Sequence, residues 1–146
     1  MTTLMLRSAL AGLACAALAV AAPAMAETVT LKASLSPGKE VPPAKSNGTG
    51  EVTASYDTAS KKLAWKGIYS GLTGPATMAH FHGPSGPGKN AGMALPIFAG
   101  AGAKSPFAGS ATLTDVQARQ LMAGEWYVNV HTKANTAGEI RGQLTR

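Results

Sequence analysis

Apolar and polar residues alternate in short segments along most of this 146-residue chain, and this period of two constrains its fold more than any other feature. In residues 29–35, valine, leucine and alanine alternate with threonine, lysine and serine, which is typical of a β-strand with one buried face. Turn-forming glycines and prolines separate such segments. Further strands are predicted at residues 51–56, 62–72, 77–82, 94–99, 107–113, 125–132 and 139–144. The sequence therefore predicts an all-β fold, an antiparallel β-sandwich of Greek-key type.

One short helix is predicted between the last strands. Thr114, Asp115 and Gln117 form a capping box in which the threonine hydroxyl accepts a backbone hydrogen bond and the glutamine reaches back. Asp115 also favours the positive end of the helix dipole. The helix is expected to end near Met122, with Gly124 just beyond it.

The apolar strand positions define a predicted core, and the polar positions define a predicted surface. Trp126 lies at a strand end, so we expect it at the rim. Glu139 and Arg141 alternate on the last strand, where a surface ion pair or cross-strand contact is expected. The predicted core residues are Val29, Leu31, Leu35, Val52, Tyr56, Leu63, Trp65, Phe81, Phe107, Leu113, Val128, Val130, Ile140 and Leu144.

Residues 1–26 have the features of a secretory signal peptide. Arg7 gives a positive start, residues 10–22 are apolar, and residues 24–26 offer small side chains at the cleavage site. The apolar run is too short for a transmembrane helix, and the mature chain contains no other candidate. The sequence predicts an exported, periplasmic or extracellular protein whose mature part, residues 27–146, is one domain.

Composition excludes several functions for the mature chain. Its only cysteine, Cys15, is lost with the signal peptide, so neither a disulfide nor a thiol nucleophile remains. Without Arg7, twelve basic residues stand against seven acidic ones, a net charge of +5. These charges are scattered, and the longest cluster is Lys61-Lys62, so the chain lacks the basic stripe of a nucleic-acid-binding protein.

All three histidines lie in two of the predicted strands. His80 and His82 are two residues apart, so they share a strand face at a spacing of roughly 6.6 Å. His131 lies opposite the apolar face of its own strand, 126–132. If the two strands are neighbours, the three imidazoles converge and offer a metal three ligands and an open position.

Copper is the metal that the sequence favours at this site. Imidazole suits Cu(II), and Met78, on the face of His80 and His82, offers a soft axial sulfur, although packing also explains this methionine. Asn129 shares the face of His131 and is expected to orient a ring. The motifs have no neighbouring carboxylate in sequence, which argues against a zinc hydrolase. A purely structural role, in which the histidines bind the adjoining loops, remains the alternative.

The order of several motifs resembles the CHRD family, the domain type named after chordin. They are Ala-His-Phe-His-Gly-Pro at 79–84, Ser-Pro-Phe at 105–107, Ala-Thr-Leu-Thr at 111–114, Tyr-Val-Asn-Val-His-Thr at 127–132 and Gly-Glu-Ile-Arg-Gly-Gln-Leu at 138–144. The resemblance implies an extracytoplasmic β-sandwich. In chordin such domains occur in a secreted antagonist of growth factors, and the bacterial single-domain members resemble exported proteins, so the resemblance implies little about biochemistry. Because the sequence offers no nucleophile, carboxylate pair or cofactor motif, we expect a binding or structural module, for which an extracytoplasmic protein is a candidate partner.

A more local resemblance is to copper–zinc superoxide dismutase. That family also carries His-x-His on a sandwich strand and draws another copper ligand from a distant strand, which implies a superoxide-dismutase-like sandwich. This chain lacks a fourth histidine and the cysteine pair. The shared histidine pattern nevertheless makes a redox metalloenzyme of that type the alternative to a non-enzymatic binding module.

Overall fold

Two four-stranded antiparallel sheets form the fold, as the alternating pattern predicts. The computed structural model describes residues 25–100 and 104–146, so the predicted signal peptide, apart from its last two residues, and Cys15 lie outside the described part. The elements are β1 (Thr28–Leu35), a 3₁₀ turn (Pro37–Lys39), β2 (Thr49–Asp57), β3 (Lys62–Ser70), β4 (Ala76–His82), β5 (Met93–Ala99), β6 (Phe107–Thr112), α1 (Asp115–Met122), β7 (Tyr127–Thr132) and β8 (Ile140–Gln143).

The strand order is β1-β2-β3-β6 in the first sheet and β5-β4-β7-β8 in the second. The chain leaves β4, passes through β5 and β6, and returns in β7 to lie beside β4, which is a Greek-key connection. This return brings the two histidine-bearing strands together, although 44 residues lie between His82 and Tyr127 at their facing ends.

The core lies between the two sheets and contains every apolar residue that the sequence assigns to it. Trp126 is different from the prediction, because it is fully buried instead of lying at the rim. Its ring packs against Phe81, and its indole N–H donates to Gln120 of α1. The helix therefore contacts the strand end at which the sequence predicted an exposed rim position.

The helix has the predicted ends. The Thr114 hydroxyl accepts from the Gln117 backbone N–H, and the Gln117 side chain accepts from the Thr114 N–H. Gly124 follows the helix with φ +74°, a left-handed conformation that glycine adopts without strain.

A buried carboxylate joins the loops that cover the outer face of the second sheet. Glu139 is fully buried and accepts five hydrogen bonds, of 2.6–3.0 Å, from Ser46, Thr73, Thr132 and Asn135. Burial raises its pKa, but the bonds from Ser46, Thr132 and Thr73 outweigh burial and lower the pKa to about 2. Glu139 is thus a buried anion held by neutral donors.

The expected surface pairing of Glu139 with Arg141 is therefore wrong. Arg141 is also buried, and its guanidinium donates to Asn90 Oδ1 at 2.9 Å and to the Lys89 carbonyl at 2.6 Å. The same guanidinium lies 3.4 Å from the centre of the Tyr127 ring. Loops cover this face of the sheet, so the alternating polar residues of β8 lie beneath them instead of in solvent.

We predict that Glu139→Gln lowers the free energy of unfolding by about 2–4 kcal/mol at pH 7, because several charge-assisted hydrogen bonds lose their acceptor charge. The depressed pKa means that the wild-type carboxylate contributes about 3 kcal/mol above pH 4.5, and that this contribution is lost as the pH falls towards 2. Urea unfolding at several pH values measures both effects.

Glu51→Gln is the control, since Glu51 is exposed and its side chain makes no hydrogen bond within the described residues. We expect it to change stability by less than about 0.5 kcal/mol. Equal effects of the two substitutions would show that the buried carboxylate is not a major stabilising group.

Candidate metal centre

Strands β4 and β7 pair directly, and their register brings the histidines onto one face. His80 lies opposite Asn129, His82 opposite Tyr127, and Met78 opposite His131. Cross-strand partners project to the same side of a sheet, so all these side chains share the outer face of the second sheet. The sequence prediction that the three histidines converge is therefore confirmed.

The three imidazoles form one compact group. A ring nitrogen from each of His80, His82 and His131 lies within 4.8 Å of the others. The closest approach is a hydrogen bond of 3.2 Å between His80 Nδ1 and His131 Nε2. Among the described residues, this group is the one cluster of three or more histidine or carboxylate side chains with metal-ligand spacing.

Backbone carbonyls fix the proton positions on two of the rings. His131 Nδ1 lies 2.9 Å from the Thr136 carbonyl, and His82 Nδ1 lies 3.0 Å from the Ala91 carbonyl. A carbonyl only accepts, so both Nδ1 atoms carry the proton, and each neutral ring has its lone pair at Nε2. His82 Nε2 is buried without a hydrogen-bond partner in the described part of the chain.

The surroundings keep two of the histidines uncharged. Burial lowers the pKa of His80, and the neighbouring His131 and His82 lower it further. Burial also lowers the pKa of His131, although the bond to Thr136 acts in the opposite direction. The neutral imidazole is the form that can bind a metal, and the lowered pKa values of His80 and His131 favour that form at neutral pH.

Asn129 does not orient a histidine, so that expectation is wrong. Its amide donates to the Ala137 carbonyl at 3.3 Å, while the carbonyls of Thr136 and Ala91 hold the rings. Met78 lies on the predicted face and is 38% exposed, at the edge of the cluster.

Sequence reasoning missed the carboxyl group on this face. Glu40, from the loop between β1 and β2, is buried, and its pKa is raised to about 7 by burial, against the charge of Arg141 and the nearby amide of Asn129. It comes from a Pro-rich loop that the strand pattern leaves unassigned. It is not one of the clustered ligands.

A second missed feature is the ring that supports His82. The imidazole stacks on Tyr127 with 8° between the ring planes and 5.1 Å between the centroids. The Tyr127 hydroxyl in turn contacts Ala91, accepting from its N–H at 3.1 Å. The loop and the strand thus hold His82 from two sides.

With this geometry established, comparison with known proteins decides the family. A family model of the CHRD domain matches residues 31–144. The chain belongs to the CHRD domain family. Domains of this family are typically extracellular or secreted modules.

No curated protein and no solved structure matches the chain. The likeness to superoxide dismutase thus rests on the histidine pattern. In residues 25–100 and 104–146, no helix is long and apolar enough to cross a membrane.

We predict that nitrogen NMR of the histidine rings at neutral pH shows the Nδ1-protonated tautomer at His82 and His131. The titration midpoints of His80 and His131 are expected below 6.5, and those of the urea-unfolded chain near 6.5. Because the unfolded chain takes up these protons first, acid below that pH destabilises the fold. Nε2-protonated rings at His82 and His131 would contradict the assignment.

Proposed function

We propose that this CHRD domain is an exported, non-enzymatic binding module that holds one Cu(II) ion through His80, His82 and His131. The convergence of three imidazole nitrogens within 4.8 Å is the observation that supports it. A structural role accounts for the Nδ1 bonds of His82 and His131 to carbonyls. It does not account for the buried His82 Nε2, which lacks a partner among the described residues.

The spacing of the nitrogens suits a first-row metal. Two ligands about 2.0–2.1 Å from one ion, at angles between square and tetrahedral, lie about 2.8–3.4 Å apart. The 3.2 Å between His80 Nδ1 and His131 Nε2 falls in this range. The ligand nitrogen of His82 lies within 4.8 Å of the other two. The bonds from Nδ1 to Thr136 and Ala91 are of the kind that fix metal-ligating histidines.

Copper suits the donor set better than zinc. Cu(II) has the highest affinity in the series for nitrogen ligands, and the exposed Met78 at the edge offers a soft sulfur. A hydrolytic zinc site needs a general base beside the metal. Glu40 is not among the clustered ligands, and with a pKa of about 7 it is partly protonated at neutral pH.

Export is the second part of the proposal. Residues 1–26 have the charge, apolar run and small residues of a secretory signal peptide. The family is typically extracellular or secreted, in agreement with this interpretation. An extracytoplasmic protein is the kind of partner that a binding module of this class serves.

We predict that the metal-free mature protein binds one Cu(II) per chain, measured by calorimetry and electron paramagnetic resonance with nitrogen hyperfine structure. Alanine at His80, His82 or His131 removes one of three ligands and weakens binding by more than about tenfold. Met78→Ala has a smaller effect. Lowering the pH from 7 to 5 weakens binding because the imidazoles take up protons.

Lys66→Ala, on the exposed outer face of the first sheet, is the matched control and is expected to leave copper affinity unchanged. Circular dichroism checks that each variant keeps the β-sandwich spectrum. Copper binding that survives in the double variant His80→Ala/His82→Ala would assign these rings a structural role instead.

The rival function is a superoxide-dismutase-like redox enzyme, which a His-x-His on a Greek-key sandwich favours. We predict that the copper-loaded protein removes superoxide no faster than the same concentration of free copper. A rate of superoxide removal higher than that of free copper, and lost in both His80→Ala and His131→Ala, would show a superoxide-dismutase-like enzyme. That result would overturn the binding-module proposal.

A further inference from the structure

A cavity of about 480 Å³ opens beside the buried end of β8, away from the histidine cluster. The 3₁₀ turn and the segment after it form one wall, and the loop after β4 forms another. None of the three histidines lines it. Its size is within the range of small-molecule sites.

The lining of this cavity includes a positive charge, that of Arg141, with no carboxylate oxygen within 4.0 Å of it among the described residues. Arg141 lines the cavity and is 2% exposed. Its guanidinium bonds to two neutral acceptors, Asn90 Oδ1 and the Lys89 carbonyl. Within residues 25–100 and 104–146 the ion pair shorter than 4.0 Å is that of Lys61 with Asp115. The Glu40 carboxyl, which also lines the cavity and feels the charge of Arg141, has a pKa of about 7 and neutralises that charge only in part at neutral pH. A buried guanidinium of this kind favours an anion beside it.

The remaining lining adds a proton donor and an apolar wall. Glu40 lines the cavity, is 5% exposed, and has a buried Oε1 without a hydrogen-bond partner in the described chain. Val41, Pro43 and Pro87 supply apolar surface. We infer that this cavity binds a small organic carboxylate whose charge pairs with Arg141 and whose apolar part contacts these three residues.

The acid of Glu40 makes this binding depend on pH. Its pKa is about 7, so at pH 6 it is largely protonated and donates a hydrogen bond to the ligand carboxylate, whereas at pH 8 it is ionised and repels it. The other charged groups that line the cavity are the basic side chains of Arg141 and Lys39. Affinity therefore falls about tenfold from pH 6 to pH 8.

The test uses butyrate, butyramide and butylamine as probes. Their binding to the full mature chain is measured by calorimetry and by backbone amide chemical shifts. Butyrate is expected to bind the wild-type chain saturably at pH 6 and about tenfold more weakly at pH 8. Its affinity for Arg141→Met at pH 6 is expected to be at least about tenfold lower than for the wild type. Butyramide and butylamine are expected to bind the wild type much more weakly than butyrate. Preferential binding of butylamine, or no saturable binding of butyrate, would overturn the inference.

Because Arg141 also supports the fold, Glu40→Gln provides the second test. Glutamine stays neutral and keeps the volume, so this variant is expected to bind butyrate equally at pH 6 and pH 8. A tenfold pH dependence in Glu40→Gln would contradict the role of Glu40. A peptide C-terminus presents the same chemistry, so N-acetyl-alanyl-valine is measured beside butyrate. The tighter of the two identifies the source of the carboxylate.

Discussion

The buried carboxylate of Glu139 is the interaction on which the outer face of the second sheet depends. Its five hydrogen bonds join the loop before β2, the connection before β4, the end of β7 and the following turn. Two of its donors lie at this turn: Thr132 ends β7, and Asn135 precedes Thr136, whose carbonyl accepts from His131. The turn whose Thr136 carbonyl accepts the His131 Nδ1 proton is thus held by the carboxylate of Glu139, which lies just before β8. A residue without an acceptor at 139 would leave five donor groups, from four residues, without their partner.

The parts of the fold that repeat every second residue are predictable from sequence. Strand and core positions follow from alternation, and the same period places His80 and His82 on one face. The first and last residues of the strands are less predictable from this alternation. β2 begins at Thr49, two residues earlier than predicted, because Thr49 and Gly50 pair with β3. A Cβ at Gly50 would lie 2.9 Å from the Ile68 carbonyl, so this glycine permits close strand pairing instead of marking a turn.

The second layer on the outer face was not predictable, for a physical reason. Period-two reasoning assigns polar strand residues to solvent, whereas here loops cover them and make Glu139 and Arg141 internal. Glu40 lies in a loop where no period applies. The groups that orient the histidines are the carbonyls of Thr136 and Ala91, and every residue type carries a carbonyl. Side-chain identity therefore identified the three clustered histidines but contained no information about the carbonyls that orient their rings.

The cavity and the histidine cluster are separate sites that share their supports. The Arg141 guanidinium contacts the Tyr127 ring, and the same ring stacks on His82. Arg141 also bonds to Lys89 and Asn90, next to the Ala91 carbonyl that holds His82. Arg141 is thus connected to His82 through both the Tyr127 ring and the loop after β4. If the proposed carboxylate and metal both bind, any coupling between them through these contacts is reciprocal, because the effect of one ligand on the affinity of the other is the same in both directions.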